Sequence, residues 1–146
     1  KATVLPIRNN SQFTISYLHS VNRTPVREIY TCQKVEGQGK IILNGTEFSN
    51  FGVGTVYEHG EGTLNLKNNV FILSGLNREM ENLNFIVWPA NNFCLTVNKH
   101  NFYLLTLAGP DRQVKIYTYT TFPWQLLTKV VAFTACRGGQ DNDYQP

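Results

Sequence analysis

Apolar and polar residues alternate with a period of two through much of this chain, and turn signals interrupt the alternation every few residues. This pattern points to half-buried strands, in which successive side chains face opposite sides of a sheet. The clearest case is Phe13 to Glu28. Phe13-Thr14-Ile15-Ser16-Tyr17-Leu18-His19 alternates, Thr24-Pro25 breaks the run as a turn does, and Val26 opens a second run. Placing Val21 opposite Val26, with Asn22 to Pro25 as the loop, sets the register of a hairpin. His19 then faces Glu28, Tyr17 faces Tyr30 and Ile15 faces Cys32, all on one side. A one-residue slip would destroy this match. The register puts a titratable pair at the rim of a buried face, where burial and a neighbouring charge move a pKa. Pro25 cannot donate to the ladder, so a bulge there is the expected disturbance.

Further strand signals follow along the chain. Ala2 to Ile7 is a short apolar run stopped at Asn9-Asn10. Lys40 to Leu43 leads into Asn44-Gly45, which reads as a two-residue hairpin turn because both positions accept positive φ. Thr63 to Lys67 and Val70 to Leu73 flank Asn68-Asn69, a second tight turn. Leu83 to Trp88 ends at Pro89. Phe93 to Val97 and Phe102 to Leu107 flank Asn98 to Asn101, and Gln113 to Tyr119 follows a Gly109-Pro110-Asp111 turn. Pro123 suits a first helical position, so Trp124 to Val131 reads as two helical turns, although Val130-Val131 argues equally for a strand. The expected fold is all-β: an antiparallel β-sandwich or irregular β-barrel of about nine or ten short strands, with at most one or two short helices. One β domain over 1–137 and a flexible polar tail over 138–146 are expected.

Composition narrows the functional classes. At 146 residues with 42% hydrophobic residues, the chain can bury a core. No apolar run approaches the roughly 18 residues of a membrane helix. The chain starts at Lys1 rather than Met, as expected of a trimmed chain or of a mature form, and either allows a signal or anchor segment to have been removed. The net charge of +3 is spread without a basic run, so nucleic acid is not an expected partner. Charged residues are 16%, and Asn and Thr supply much of the polar surface, as in exported β-proteins. Cys32, Cys94 and Cys136 form no CxxC and have no His at ligand spacing, so neither a metal nor another cofactor is expected. Either Cys32 and Cys94 are small buried hydrophobes on strands, or the three cysteines hold one disulfide plus a thiol.

His19, Ser20 and Glu28 invite a catalytic reading, a base beside a carboxylate with a hydroxyl nearby. Ser20 follows His19 directly and on a strand points to the opposite face, so His19 cannot readily take its proton. No Gly-x-Ser-x-Gly elbow is present. The simpler readings are a cross-strand pair that pins the register, or a rim site for a polar ligand. Gly52-Val53-Gly54 offers backbone N–H groups to an anion or marks a bend. Tyr57-Glu58-His59-Gly60-Glu61 reads as a solvated loop. Lys115, Tyr117 and Tyr119 share a face opposite Val114 and Ile116, which makes that face the candidate surface contact.

Tyr17-Leu18-His19-Ser20-Val21, Thr24-Pro25-Val26, Glu28 and the later Gly52-Val53-Gly54 together resemble the bacterial family known as domain of unknown function 1850. The resemblance extends from about Phe13 to about Trp124. It implies a small exported or membrane-tethered protein, often encoded beside TRAP transporters of the TAXI type, which import organic acids. No established activity comes with it. The expected function is a non-enzymatic, periplasmic or secreted binding or accessory domain linked to solute uptake, with a small organic acid or a membrane-transport component as partner. The alternatives are a secreted protein-interaction module and a hydrolase using His19 and Glu28.

Overall fold

The structure is a computed structural model that describes residues 2–49, 61–121 and 125–133; in the last stretch the backbone and the half-buried Leu127 are described. It is all-β, with eleven strands among the described residues where about nine or ten are expected. Seven form one antiparallel sheet in the order β5 (Thr63–Lys67), β6 (Val70–Met80), β4 (Gln38–Phe48), β3 (Pro25–Val35), β2 (Ser11–Leu18), β8 (Cys94–Val97) and β9 (His100–Tyr103). Four form a second: β1 (Ala2–Ile7), β11 (Gln125–Phe133), β10 (Arg112–Thr121) and β7 (Leu83–Val87). Neither sheet closes on itself among the described strands, so the barrel alternative does not hold.

One core joins the two sheets. Ile7, Leu83, Val87, Val114 and Ile116 of the smaller sheet pack in one cluster with Phe13, Ile15, Ile41, Leu73 and Leu95 of the larger. Alternation makes this possible: on β10, Val114, Ile116 and Thr118 face the core while the residues between them face out. The tight turns follow from residues that accept a left-handed backbone. Glu36-Gly37, Asn68-Asn69 and Asn98-Lys99 each have two consecutive positive φ values, as a two-residue primed turn requires. The Asn68-Asn69 turn is the one the sequence announces, and the Asn98 turn is two residues shorter than expected, because Val97 already pairs with His100.

Three expectations are corrected. Asn44-Gly45 is not a turn but a bulge inside β4, where Ile29 pairs with Gly45 and Tyr30 with Leu43, leaving Asn44 over. Glycine is needed because a Cβ at Gly45 would lie 2.5 Å from the Leu73 carbonyl oxygen of β6. Asn44 uses its side chain locally, donating from Nδ2 to Thr31 Oγ1 at 2.7 Å. Residues 125–133 form a strand, not a helix, because β1 and β10 pair with its two edges. Phe102 to Leu107 is not one strand. It changes to a short helix, α1 (Leu104–Ala108), whose fully buried Leu104 joins the core.

The fourth correction concerns the β2–β3 hairpin. Leu18 pairs with Pro25, Tyr17 with Val26, Ile15 with Glu28, Phe13 with Tyr30 and Ser11 with Cys32. The loop therefore runs from His19 to Thr24. His19 N donates to Thr24 O at 2.9 Å and Arg23 N to His19 O at 3.0 Å, with Arg23 left-handed at φ 55°. Core packing explains the preference. The expected register would have set Phe13 opposite Lys34. The observed one stacks Phe13 on Tyr30 with ring centroids 5.1 Å apart and leaves Val21 in solvent. The displacement is an even number of residues, so every side chain keeps its face.

Candidate functional site

Glu28 is the chemically informative residue of the hairpin. It lies on the core side of β3 and is 8% exposed. Its register partner on β2 is Ile15, so His19 lies four residues further along the chain, roughly 13 Å at strand spacing. The His19–Glu28 pair is thus not formed. His19 instead organises its own loop: Nδ1 accepts from Val21 N and Asn22 N, each at 3.3 Å. Ser20 is exposed in the same loop. Arg23 Nη1 donates to Ala90 O and buried Asn91 Nδ2 to Leu18 O, both at 2.8 Å, which fastens this end of the hairpin to the 3-10 turn Pro89–Asn91.

Two tyrosines occupy Glu28. The Tyr30 hydroxyl donates to Oε2 at 2.7 Å and the Tyr17 hydroxyl to Oε1 at 3.2 Å. Parity brings them together, since Tyr17, Glu28 and Tyr30 all point to the core face. Among the described residues no lysine, arginine or histidine is bonded to Glu28. Burial raises the Glu28 carboxyl above its ordinary value, and the hydrogen bonds from Tyr30 and then Tyr17 offset part of that rise. Burial, followed by the charge of Glu28, pushes both phenols up, so they keep their protons and remain donors.

On the other side of β3, Thr46 of β4 pairs in register with Glu28. Its side chain is buried, and Oγ1 has no hydrogen-bond partner among the described residues. Facing positions in a ladder have Cβ atoms about 5 Å apart, so the Thr46 side chain stands next to Glu28 on the same face. Tyr17 connects this cluster to an aromatic row. Its ring lies 5.0 Å from Phe93, and Phe93 lies 5.2 Å from Phe85. Tyr17 and Phe85 are half-buried at the two ends of the row, with Phe93 buried between them.

Lys115, Tyr117 and Tyr119 lie together on the outward face of β10, half-buried, with the two tyrosine rings 6.2 Å apart. Gly52 and Gly54 lie outside the described residues, as do the 57–61 run up to His59 and Gly60, Cys136 and the 138–146 tail. Cys32 is buried on β3 and Cys94 half-buried on β8, and no disulfide joins them. Among the described residues, no group of three or more His, Cys, Asp or Glu could hold a metal ion, and no helix is long and apolar enough to cross a membrane. The Tyr17–Glu28–Tyr30 arrangement was implicit in the strand parity. Thr46 carried no sequence signal, because its position opposite Glu28 depends on the Asn44 bulge.

The class is therefore an all-β protein of two packed antiparallel sheets with a buried carboxyl cluster. The chain matches the family described as Domain of unknown function (DUF1850) over residues 13–104, more than half its length, and belongs to that family. The matched region runs from β2 to the first residue of α1. It holds the seven-stranded sheet except the first two residues of β2, and β7, and with them Tyr17, Glu28, Tyr30, Thr46, Phe85 and Phe93. Comparisons with curated proteins and with solved structures find no match.

Proposed function

We propose that this chain is a non-enzymatic binding or accessory domain that acts outside the cytoplasm, in the periplasm or after secretion, in the service of solute uptake. The observation that carries the binding reading is the Glu28 cluster, a buried carboxyl held by two phenols with a hydroxyl across the ladder that has no partner among the described residues. A side chain buried this way costs stability unless its bonding capacity is used. The hydrolase alternative draws no support from the geometry, because it needs His19 against Glu28 and the register separates them. An organic acid, the solute class implied by the family resemblance, would bind beside Glu28 only with a proton on that carboxyl, since two buried anions repel.

Thermal-shift measurements with organic acids, amines, sugars and divalent metals test the reading. A ligand at 100 times its Kd adds about 2.7 kcal/mol, a rise of several degrees for a chain of this size. A rise that is lost in Glu28→Gln supports binding at the cluster. Turnover of a generic ester or phosphate that disappears in His19→Ala would overturn the non-enzymatic reading.

A second reading, a protein-interaction module, rests on the outward face of the smaller sheet. Val4 is 45% exposed and lies in the same ladder row as Tyr117, and Ile86, 53% exposed, pairs with Gln113 on the Lys115 side of β10. Co-purification of a partner that is lost in Tyr117→Ala, with no small-molecule response, would favour it.

A further inference from the structure

We propose that Glu28, Thr46 and the Tyr17–Phe93–Phe85 row form a site for an organic ammonium ion, a short primary amine in its charged form. The inference deepens the binding reading above and rests on it. Three separate observations converge on this chemistry. Glu28 accepts one hydrogen bond at each oxygen, from Tyr30 and Tyr17, while a carboxylate offers about four acceptor positions. The ionised form of Glu28 therefore has acceptor capacity left over, and no cationic side chain among the described residues meets it.

Thr46 Oγ1 supplies the second observation. It is a buried hydroxyl without a partner among the described residues, paired in register with Glu28. An ammonium group has three donors and no acceptor. It satisfies Thr46 and a free carboxylate position together, and its single charge balances that of Glu28. A carboxylate ligand would bring a second negative charge to the same place.

The aromatic row is the third. Tyr17 both donates to Glu28 and stacks against Phe93, which in turn meets Phe85. Ring faces are negative and attract organic cations, and their edges accept an alkyl chain. Tyr17 and Phe85 are half-buried, so the ring that donates to the carboxyl is itself partly exposed to solvent. A strongly hydrated inorganic cation would gain little from such a wall.

The test is isothermal titration of the full chain with butylammonium chloride, sodium butyrate, and sodium or potassium chloride at matched ionic strength. Butylammonium should bind saturably. Glu28→Gln should weaken it by about tenfold or more, as loss of a buried counter-charge does. Thr46→Val keeps the shape and should weaken it several-fold, and Phe93→Leu should weaken butylammonium more than methylammonium. Binding should strengthen as pH rises, because Glu28 must release its proton. Among the described residues, the titratable groups facing it are Tyr17 from β2 and Tyr30 from β3, and β4 presents Thr46. Each variant is compared with wild type by one-dimensional NMR, so lost binding is read only from folded chains. Saturable binding of butyrate with none of butylammonium would overturn the ammonium site and leave the binding reading standing. An equal response to sodium or potassium would overturn it in favour of an inorganic cation. No response to these salts or to any compound of the wider panel would overturn both.

Discussion

Replacing Tyr30 by Phe removes one oxygen atom and leaves the rest of the core in place. The ring stays stacked on Phe13 at 5.1 Å, so the lost quantity is the 2.7 Å hydrogen bond to Glu28 Oε2. A bond of this length to a carboxyl that is 8% exposed belongs to the stronger class. Its removal leaves a buried oxygen without its donor, a cost of about 1.5–3 kcal/mol. Tyr17→Phe removes the 3.2 Å bond from a half-buried ring and should cost less, about 0.5–1.5 kcal/mol. The sign of the pH dependence follows from the raised carboxyl. The native state binds the Glu28 proton more tightly than the unfolded chain does. The stability this gives is fully present below the unfolded value near 4.5 and is lost as pH rises through the folded value. Because the Tyr30 bond lowers the Glu28 value, Tyr30→Phe pushes it further up, and the cost of the variant should grow with pH. Urea unfolding of wild type, Tyr30→Phe, Glu28→Gln and the double variant at pH 5 and pH 8 measures this. A Tyr30→Phe change within about 0.3 kcal/mol of wild type at both pH values would refute the argument, since surface substitutions reach that size. So would a larger cost for Tyr17→Phe, or strict additivity with Glu28→Gln.

Three other outcomes are expected. Gly45→Ala should destabilise by about 1–3 kcal/mol, because the new Cβ would meet the Leu73 carbonyl oxygen at 2.5 Å and β4 and β6 must part to admit it; urea midpoints give the value. Leu95→Ala should cost about 2–5 kcal/mol, since Leu95 is fully buried in the shared core; calorimetry checks it. His19→Ala should cost less than about 1 kcal/mol, because its two contacts at 3.3 Å are local to the loop. The carboxyl titration of Glu28, followed by carbon-detected NMR, should be the same in that variant and in wild type.

The sequence by itself determined the all-β class, the Asn68-Asn69 turn and the division of side chains between faces. Tyr17, Glu28 and Tyr30 share a face because alternation fixes orientation residue by residue, and an even displacement along the strand preserves it. This is why the three residues of the cluster could be placed on one side although their expected pairings were wrong. Tertiary structure decided what depends on distant neighbours. The hairpin register was set by Phe13 stacking on Tyr30, and Asn44-Gly45 became a bulge inside β4 because β3 and β6 pair with the strand on both edges, before and after it. Residues 125–133 extended because β1 and β10 offered two edges. Thr46 came opposite Glu28 only after the extra residue at Asn44 had shifted the ladder. Periodicity is a property of neighbouring residues and can be read locally. Register is a balance of contacts between strands far apart in sequence, and it exists only once the sheets have packed.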